Sequence, residues 1–271
     1  MFPRTRVEAN RRVAEALVRI SNAPIARVAE TLGTLCTYAQ GIGSASILTD
    51  SGERHAVELV CERVGGQLVV FDVGANVGGW TAVVLEVCGD RAAVHCFEPA
   101  PDSFAGLEQR YRHARRVHTW NLGLSDRGGH AQLFADSRAS SVASLYAGSL
   151  ETAGRRQATS TTVSLATLDQ FCESESIERI DLLKIDAEGA DLAVLRGAQR
   201  LLERRRIRFI QFEFGHPAVH AGTHMRSFYD ALPEFDLYRV VPRGLIALGP
   251  YRTSLENFVS ATNYLAVGRS T

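Results

Sequence analysis

Residues 68–80, LVVFDVGANVGGW, decide the fold of this 271-residue chain. A continuous apolar run at 68–71 meets Asp72, then Gly74 and Asn76, then Gly78 and Gly79 at the mouth of a second apolar segment. An apolar run of this length closed by glycines predicts a buried strand, a tight turn and a helix N-terminus. Such a turn aims backbone N–H groups and the positive end of a helix dipole beyond the strand, where a small anionic group is favoured.

The glycine spacing departs from the dinucleotide pattern G-x-G-x-x-G, whose second glycine lets backbone approach a pyrophosphate. Here Gly74 is followed by Gly78 and Gly79, and a carboxylate, Asp72, closes the strand. An acid at that point repels a pyrophosphate and attracts an ammonium group. S-adenosylmethionine matches both signs, with a carboxylate for the helix end and an α-ammonium for the acid. An NAD-dependent oxidoreductase is disfavoured on the same ground. A nucleoside-binding module without catalysis remains the other alternative.

Outward from this loop the chain alternates strand and helix. A helix over 78–87 is followed by a strand at 93–97 ending in Glu98-Pro99, a helix from Asp102 or Ser103 to about 113, and a strand at 117–120 ending at Asn121. The pattern resumes with a strand at 180–185 closed by Asp186 and Glu188, a helix carrying Leu192, Leu195, Ala198, Leu201 and Leu202, and a strand at 207–212 closed by Glu213. Alternation of this kind predicts an α/β fold, a doubly wound and mainly parallel sheet with ligands at the carboxyl ends of its strands. Late strands at 237–241 and 263–267, joined without a long helix, predict an antiparallel edge.

Two regions stand outside the alternation. Residues 1–64 read as a helical N-terminal extension of short amphipathic helices, with a boundary near residue 65 before the catalytic domain of residues 65–271. Their apolar stripes seek partners, so a homodimer is an expectation. Residues 125–162 read as an irregular, lid-like insertion: the turn at 126–129 predicts a hairpin of 122–124 with 131–134, and a Ser, Thr, Ala and Gly-rich stretch follows.

Composition narrows the classes. Thirty basic residues balance thirty acidic ones, so no global field draws the chain to nucleic acid or to an anionic membrane. Five cysteines, an odd number without C-x-x-C spacing, suit buried thiols in a reducing, cytoplasmic setting. No apolar run approaches the ~20 residues of a transmembrane segment.

Along one rim of the expected sheet stand Asp72, Glu98, Asp186 with Glu188, and Glu213. Glu98 follows Gly78 by about 20 residues, where an acid accepts the hydroxyls of a ribose. The motifs FDVGANVGGWT at 71–81, FEP at 97–99, TLDQF at 167–171 and LLKIDAEGADLAVLRGA at 182–198 resemble the FkbM-type family of S-adenosylmethionine-dependent methyltransferases. The resemblance implies a Rossmann-like class I methyltransferase fold and O-methylation of a sugar, glycolipid or other natural-product hydroxyl. It also implies that Asp72, Gly74, Asn76 and Gly78 form the methionine-binding loop, that Glu98 is the ribose acid, that Asn121 meets the adenine or methionine end, and that Asp186 stands beside the methyl.

Transfer of a methyl to a hydroxyl needs an oxygen held in line with the breaking bond and a base near it. Asp186, Glu213 and His216 are the catalytic candidates, with His216 or Asp186 preferred and Glu188 either acting with them or capping the next helix. Lys184 is expected to anchor that turn, and Phe214 to wall the site. A divalent metal is the unfavoured alternative, on Asp186, Glu188 and Glu213 or on His216, His220 and His224, the latter interrupted by Pro217 and Gly222.

Overall fold

The computed structural model describes residues 4–43, 51–136, 143–146 and 159–269. The chain forms two compact units, residues 1–40 and 41–271. In the first, α1 (Arg4–Ile20) is joined by a short turn to α2 (Ala23–Ala39). Asn22 caps α2 by accepting from the Ile25 N–H at 3.1 Å, and Pro24 occupies the first turn, where its missing N–H costs nothing.

The second unit opens with α3 (Glu53–Arg63), which the composition groups with the extension. Ala56, Val57, Val60 and Cys61 of α3 are buried in the same cluster as Leu68 and Val70, so the packing boundary falls after residue 40. The elements that follow are β1 (Leu68–Val73), α4 (Gly79–Cys88), β2 (Ala92–Phe97), α5 (Pro101–Tyr111), β3 (Val117–Trp120), β4 (Gly123–Leu124), β5 (Gly129–Ala135), β6 (Ala143–Ser144) and β7 (Thr159–Ala166). Then come α6 (Leu168–Ser174), β8 (Ile180–Ile185), α7 (Asp191–Arg196), α8 (Gln199–Glu203), β9 (Ile207–Phe214), α9 (His216–His220), α10 (Met225–Ala231), β10 (Phe235–Val241), β11 (Gly244–Ala247) and β12 (Thr262–Gly268).

Eight strands form one sheet in the order β11-β10-β12-β9-β8-β1-β2-β3. The five from β9 to β3 are parallel, and β12, β10 and β11 pair antiparallel beyond them. Successive β1 side chains enter opposite layers, Phe71 and Val73 on one face, Leu68 and Val70 on the other. A strand buried on both faces is what an unbroken apolar run encodes.

Three departures from the sequence reading have local causes. The expected hairpin of 122–124 with 131–134 does not pair directly. A second sheet runs β4-β7-β5-β6, so β7 inserts between them, parallel to β4 and antiparallel to β5. Of the stretch read as a lid, 137–142 and 147–158 lie outside the described residues. The helix expected through Leu202 is broken into α7 and α8, because Gly197 closes onto the Ser125 carbonyl, where a Cβ would stand 2.1 Å from that oxygen. Asp169 then caps the restarted helix, accepting from Arg200 N–H at 2.8 Å and Leu201 N–H at 3.0 Å. The antiparallel edge also contains β11, which the sequence reading had missed.

Candidate active site

The carboxyl ends of β1, β2 and β8 meet at a cleft. Gly74, Asn76, Glu98, Asp186 and Glu188 line it, and Leu124, Leu133, Leu145 and Leu165 give it an apolar wall. The small sheet therefore roofs the end of the large one. Ser144, fully buried on β6, donates its hydroxyl to the Glu188 carbonyl at 2.8 Å and pins the two together.

The glycine loop is drawn inward. Gly74 N–H and Ala75 N–H both donate to the Phe97 carbonyl at 3.0 Å, Asn76 N–H to Glu98 Oε2 at 2.8 Å, and Gly78 N–H to the Ala75 carbonyl at 2.7 Å. These four donors are occupied by protein, so they do not form the anion cradle expected of the turn. Gly74 has φ +77° and lies so close to the next loop that a Cβ would stand 1.9 Å from the Asp186 carbonyl oxygen. Gly78, at φ +78°, is pressed on the Tyr111 ring. Packing also demands these glycines, Gly74 beneath the Asp186 carbonyl and Gly78 against the Tyr111 and Leu107 side chains.

Glu98 is anchored at both oxygens, by Asn76 N–H and by Ala100 N–H, each at 2.8 Å. Burial raises its pKa, and those two donors work against the rise. A carboxylate has about four acceptor positions, so lone pairs remain for hydroxyls in the cleft. Asn121 lies outside the lining and donates to the Glu98 and Pro99 carbonyls at 2.9 and 3.1 Å, holding the turn that presents Glu98.

Asp72 is fully buried and does not line the cleft. Its Oδ2 accepts from the Thr81 hydroxyl at 2.7 Å and its Oδ1 faces Lys184 Nζ at 3.6 Å. Burial raises its pKa, offset by Lys184 and Thr81. Lys184 is itself buried, 3.1 Å from Asp186 Oδ2 and over the Trp80 ring at 5.7 Å. Burial opposes its charge, but Asp186, Asp72 and Glu53 outweigh that and raise its pKa. One cation between two carboxylates is the arrangement that keeps a buried charge tolerable.

Asp186, 37% exposed at its side chain, carries this charge to the cleft. Burial opposes its ionisation, yet Lys184 and a hydrogen bond from Glu213 hold its pKa below the usual carboxylate range. Glu213 is pushed well above its usual range by burial, then by the charges of Asp186, Glu188 and Asp191. The two acids are thus pushed in opposite directions, Asp186 toward its charged form and Glu213 toward its neutral one. Asp191 at the start of α7 is pushed up to about 7 by burial and by Asp186, while it accepts from Ala187 N–H at 3.3 Å and Glu213 N–H at 3.1 Å.

Glu188 does not cap α7, whose N-cap is Ala190. It sits at φ +48° in the cleft lining, a backbone state that non-glycine residues adopt at some cost. His216 opens α9 and packs edge-on against Phe258 at 5.3 Å between centroids; neither it nor Glu213 lines the cleft. Phe214 is core, packed on Phe228 and Phe258. Pro217 starts a single helical turn that ends before Gly222, with His224 at the N-cap of α10. Among the described residues no group of three or more His, Cys, Asp or Glu has metal-binding geometry, so neither metal alternative is assembled. The sequence reading does not identify the roof residues Leu133, Ser144, Leu145 and Leu165, or the buried acid Asp191 that accepts from the Ala187 and Glu213 N–H groups.

A doubly wound sheet with this strand order, carrying Glu98 and Asp186 at the ends of the two strands that flank β1 beneath an apolar roof, is the class I methyltransferase fold. The chain belongs to the methyltransferase FkbM domain family, which it matches over residues 72–239. It is 28% identical over 188 residues to the 2-O-methyltransferase NoeI of Sinorhizobium fredii, covering 65% of this chain and 76% of that one. It is 28% identical over 187 residues to the hexuronic acid methyltransferase AglP of Haloferax volcanii, covering 69% and 70%. A solved FkbM methyltransferase from Methylobacillus flagellatus aligns at TM-score 0.45 and 14% identity; the alignment covers 74% of this chain and 43% of that longer one. The protein is a methyltransferase. No helix among the described residues is long and apolar enough to cross a membrane.

Proposed function

We propose that this protein moves a methyl group from S-adenosylmethionine to a hydroxyl of a sugar or a similarly hydroxylated acceptor. The observation that carries the reading is the pairing of Glu98 and Asp186 across one cleft, the first with acceptor lone pairs to spare, the second held ionised by Lys184. The names of two relatives, a 2-O-methyltransferase and a hexuronic acid methyltransferase, support an acceptor of the sugar class.

The residues present fit the cofactor. Glu98 receives the ribose hydroxyls, and Leu124, Leu133 and Leu165 cover an apolar ring system. Gly74 and Asn76 lie on the methionine side of the cleft. Asp72 and Gly78 act from below, Asp72 by fixing Lys184 and Gly78 by seating α4 on α5. Asn121 acts through the Glu98 turn. The bound cofactor supplies an electrophilic methyl on a sulfonium, and the chain must bring an oxygen to it.

Asp186 is placed in this reading as the group that accepts a hydrogen bond from the acceptor hydroxyl and orients the oxygen lone pair. Lys184 keeps it charged, and Glu213 donates to it and holds the neighbouring proton. As the methyl bond forms, the hydroxyl becomes strongly acidic and its proton passes to Asp186. Positioning within ~3–3.5 Å supplies most of the acceleration. His216 is the reserve base, reached only if the turn at Gly215 moves toward the cleft.

Calorimetric titration with S-adenosylmethionine and, separately, NAD tests the cofactor, and methylation of hydroxylated sugars tests the transfer. The expected outcome is binding of S-adenosylmethionine alone and methyl incorporation without added metal. NAD binding in its place, or turnover that appears only with a divalent ion, would overturn the reading.

A further inference from the structure

A second cavity shares Leu145 and Leu165 with the first cleft. Its other walls are of a different kind: Asp126 and Arg127 from the turn after β4, Tyr146 after β6, and Arg196 at the end of α7. None of these has a part in holding the cofactor in the reading above. The two spaces are joined by the roof and also by the chain. The loop carrying Asp186 and Glu188 runs directly into α7, and six helical residues rise about 9 Å to Arg196.

Arg127 and Arg196 are exposed at this cavity and, among the described residues, form no ion pair. Asp126 is the neighbouring acid, and its Oδ1 is taken up by the Ser125 hydroxyl at 3.3 Å. The half-buried Tyr146 has its backbone fixed by a 3.2 Å bond from its N–H to Ser144 Oγ, the same hydroxyl that ties the roof to Glu188. The phenol lies within electrostatic reach of Asp126 and Arg196. An aromatic and aliphatic wall for the C–H face of a sugar, an acid for its hydroxyls and a guanidinium with no carboxylate partner together make a polar subsite with a charge preference. Guanidinium pairs best with a planar or branched oxyanion, which it can meet through two N–H groups at once.

Resting on the methyl-transfer reading of the first cleft, we infer that this second cavity is the acceptor subsite and selects a sugar bearing an anionic group, a uronate carboxylate or a sugar phosphate, with Arg196 as its charge partner. Arg196 then decides which acceptor is used, while Asp186 decides whether the transfer occurs. The competing account is that Arg196 only complements the C-terminal end of α7, a structural role that would affect every acceptor equally.

The test compares methyl transfer to methyl glucuronide, glucose 6-phosphate and neutral methyl glucoside by the wild type, Arg196→Ala, Arg196→Lys and Tyr146→Phe. S-adenosylmethionine affinity is measured on each by calorimetry. The wild type is expected to favour one of the anionic sugars over the neutral one at least 10-fold in kcat/KM, and the favoured one identifies the anion as carboxylate or phosphate. Arg196→Ala should cut that preference by about 10- to 100-fold, mainly through KM, with cofactor affinity intact. Arg196→Lys should restore part of it, because an ammonium keeps the charge without the fork. Tyr146→Phe, which preserves the fold if Arg196→Ala does not, should raise KM several-fold for the favoured sugar. Equal use of anionic and neutral sugars by the wild type, or an equal loss on both in Arg196→Ala, overturns the subsite and leaves the methyltransferase reading standing. A wild type that binds S-adenosylmethionine and methylates none of the three overturns the sugar reading and this inference with it.

Discussion

The loop after β1 and the loop after β8 run side by side at the same rim, yet they are built on opposite principles. The first, residues 74–78, places its N–H groups on protein carbonyls and on Glu98, and its glycines are demanded by Asp186 and Tyr111 pressing on them. The second, residues 186–190, gathers Asp186 and Glu188 and leans on Glu213 and Asp191, with a single buried lysine to hold the charge. A motif dense in glycine can thus be mostly about packing, while the loop with the less familiar pattern concentrates the chemistry. Repelling carboxylates are costly to fold together, and such strain is usually retained where a site needs it.

The sharpest way to break this comparison is to exchange the charge of one loop and the shape of the other. Asp186→Asn should lower kcat by about 100-fold or more, the usual scale for a lost acid–base or orienting group. S-adenosylmethionine affinity should fall far less, as read by single-turnover assay against calorimetry. If both fall together, the acidic loop is a binding loop and the contrast fails. Gly74→Ala should instead destabilise the fold by about 2–4 kcal/mol, through a positive φ and a Cβ driven into backbone. Urea denaturation measures it, and a native midpoint would mean that the two loops can part without cost.

The parallel part of the large sheet is legible in the sequence because four of its strands end at or beside an acid: Asp72 and Glu213 one residue inside the ends of β1 and β9, Glu98 and Asp186 one residue past those of β2 and β8. The rim was legible too, but not the direction in which each carboxylate turns. Asp72 and Asp186 look equivalent as strand-end acids, but Asp72 lies within β1 opposite Lys184 and is buried, whereas Asp186 lies one residue past β8 and lines the cleft. The small sheet was hidden for another reason. Its longest strand, β7, is largely exposed and rich in Ser and Thr, so it shows neither a buried run nor a clean alternation, and it finds its place between β4 and β5 through a contact distant in sequence. His216 drew attention as a titratable group after β9, and its place against Phe258 depends on a segment more than 40 residues away.

A smaller effect distinguishes the loops through pH. Asp191 holds its proton to about pH 7 in the native state, against about 3.8 when unfolded. Between those values the native protein binds more protons than the unfolded chain, so this contribution is present in full below pH 4 and is lost as pH rises toward 7. Glu213, also raised, acts in the same direction, and Asp186, lowered, acts against it. Asp191→Asn should flatten the fall in stability between pH 5 and 7 by on the order of 1–2 kcal/mol in urea titrations. An unchanged slope would mean that the two N–H donors from Ala187 and Glu213 keep Asp191 ionised, and that the acidic loop is less strained than its charges suggest.

The smallest expected effect bears on the one residue of the glycine loop whose side chain still has a claim on a ligand. Asn76 sits at φ +49° and its N–H holds Glu98, so its backbone serves packing while its side chain borders the cleft. Asn76→Gly keeps the N–H and removes only the amide. Stability should then shift by less than about 1 kcal/mol, because glycine tolerates the left-handed state but gains entropy when unfolded. If the loop is packing alone, S-adenosylmethionine affinity stays within two- to threefold. A loss of about 10-fold, the scale of one hydrogen bond of roughly 1.4 kcal/mol, would give this loop a direct part in binding and narrow its difference from the acidic one to a matter of degree.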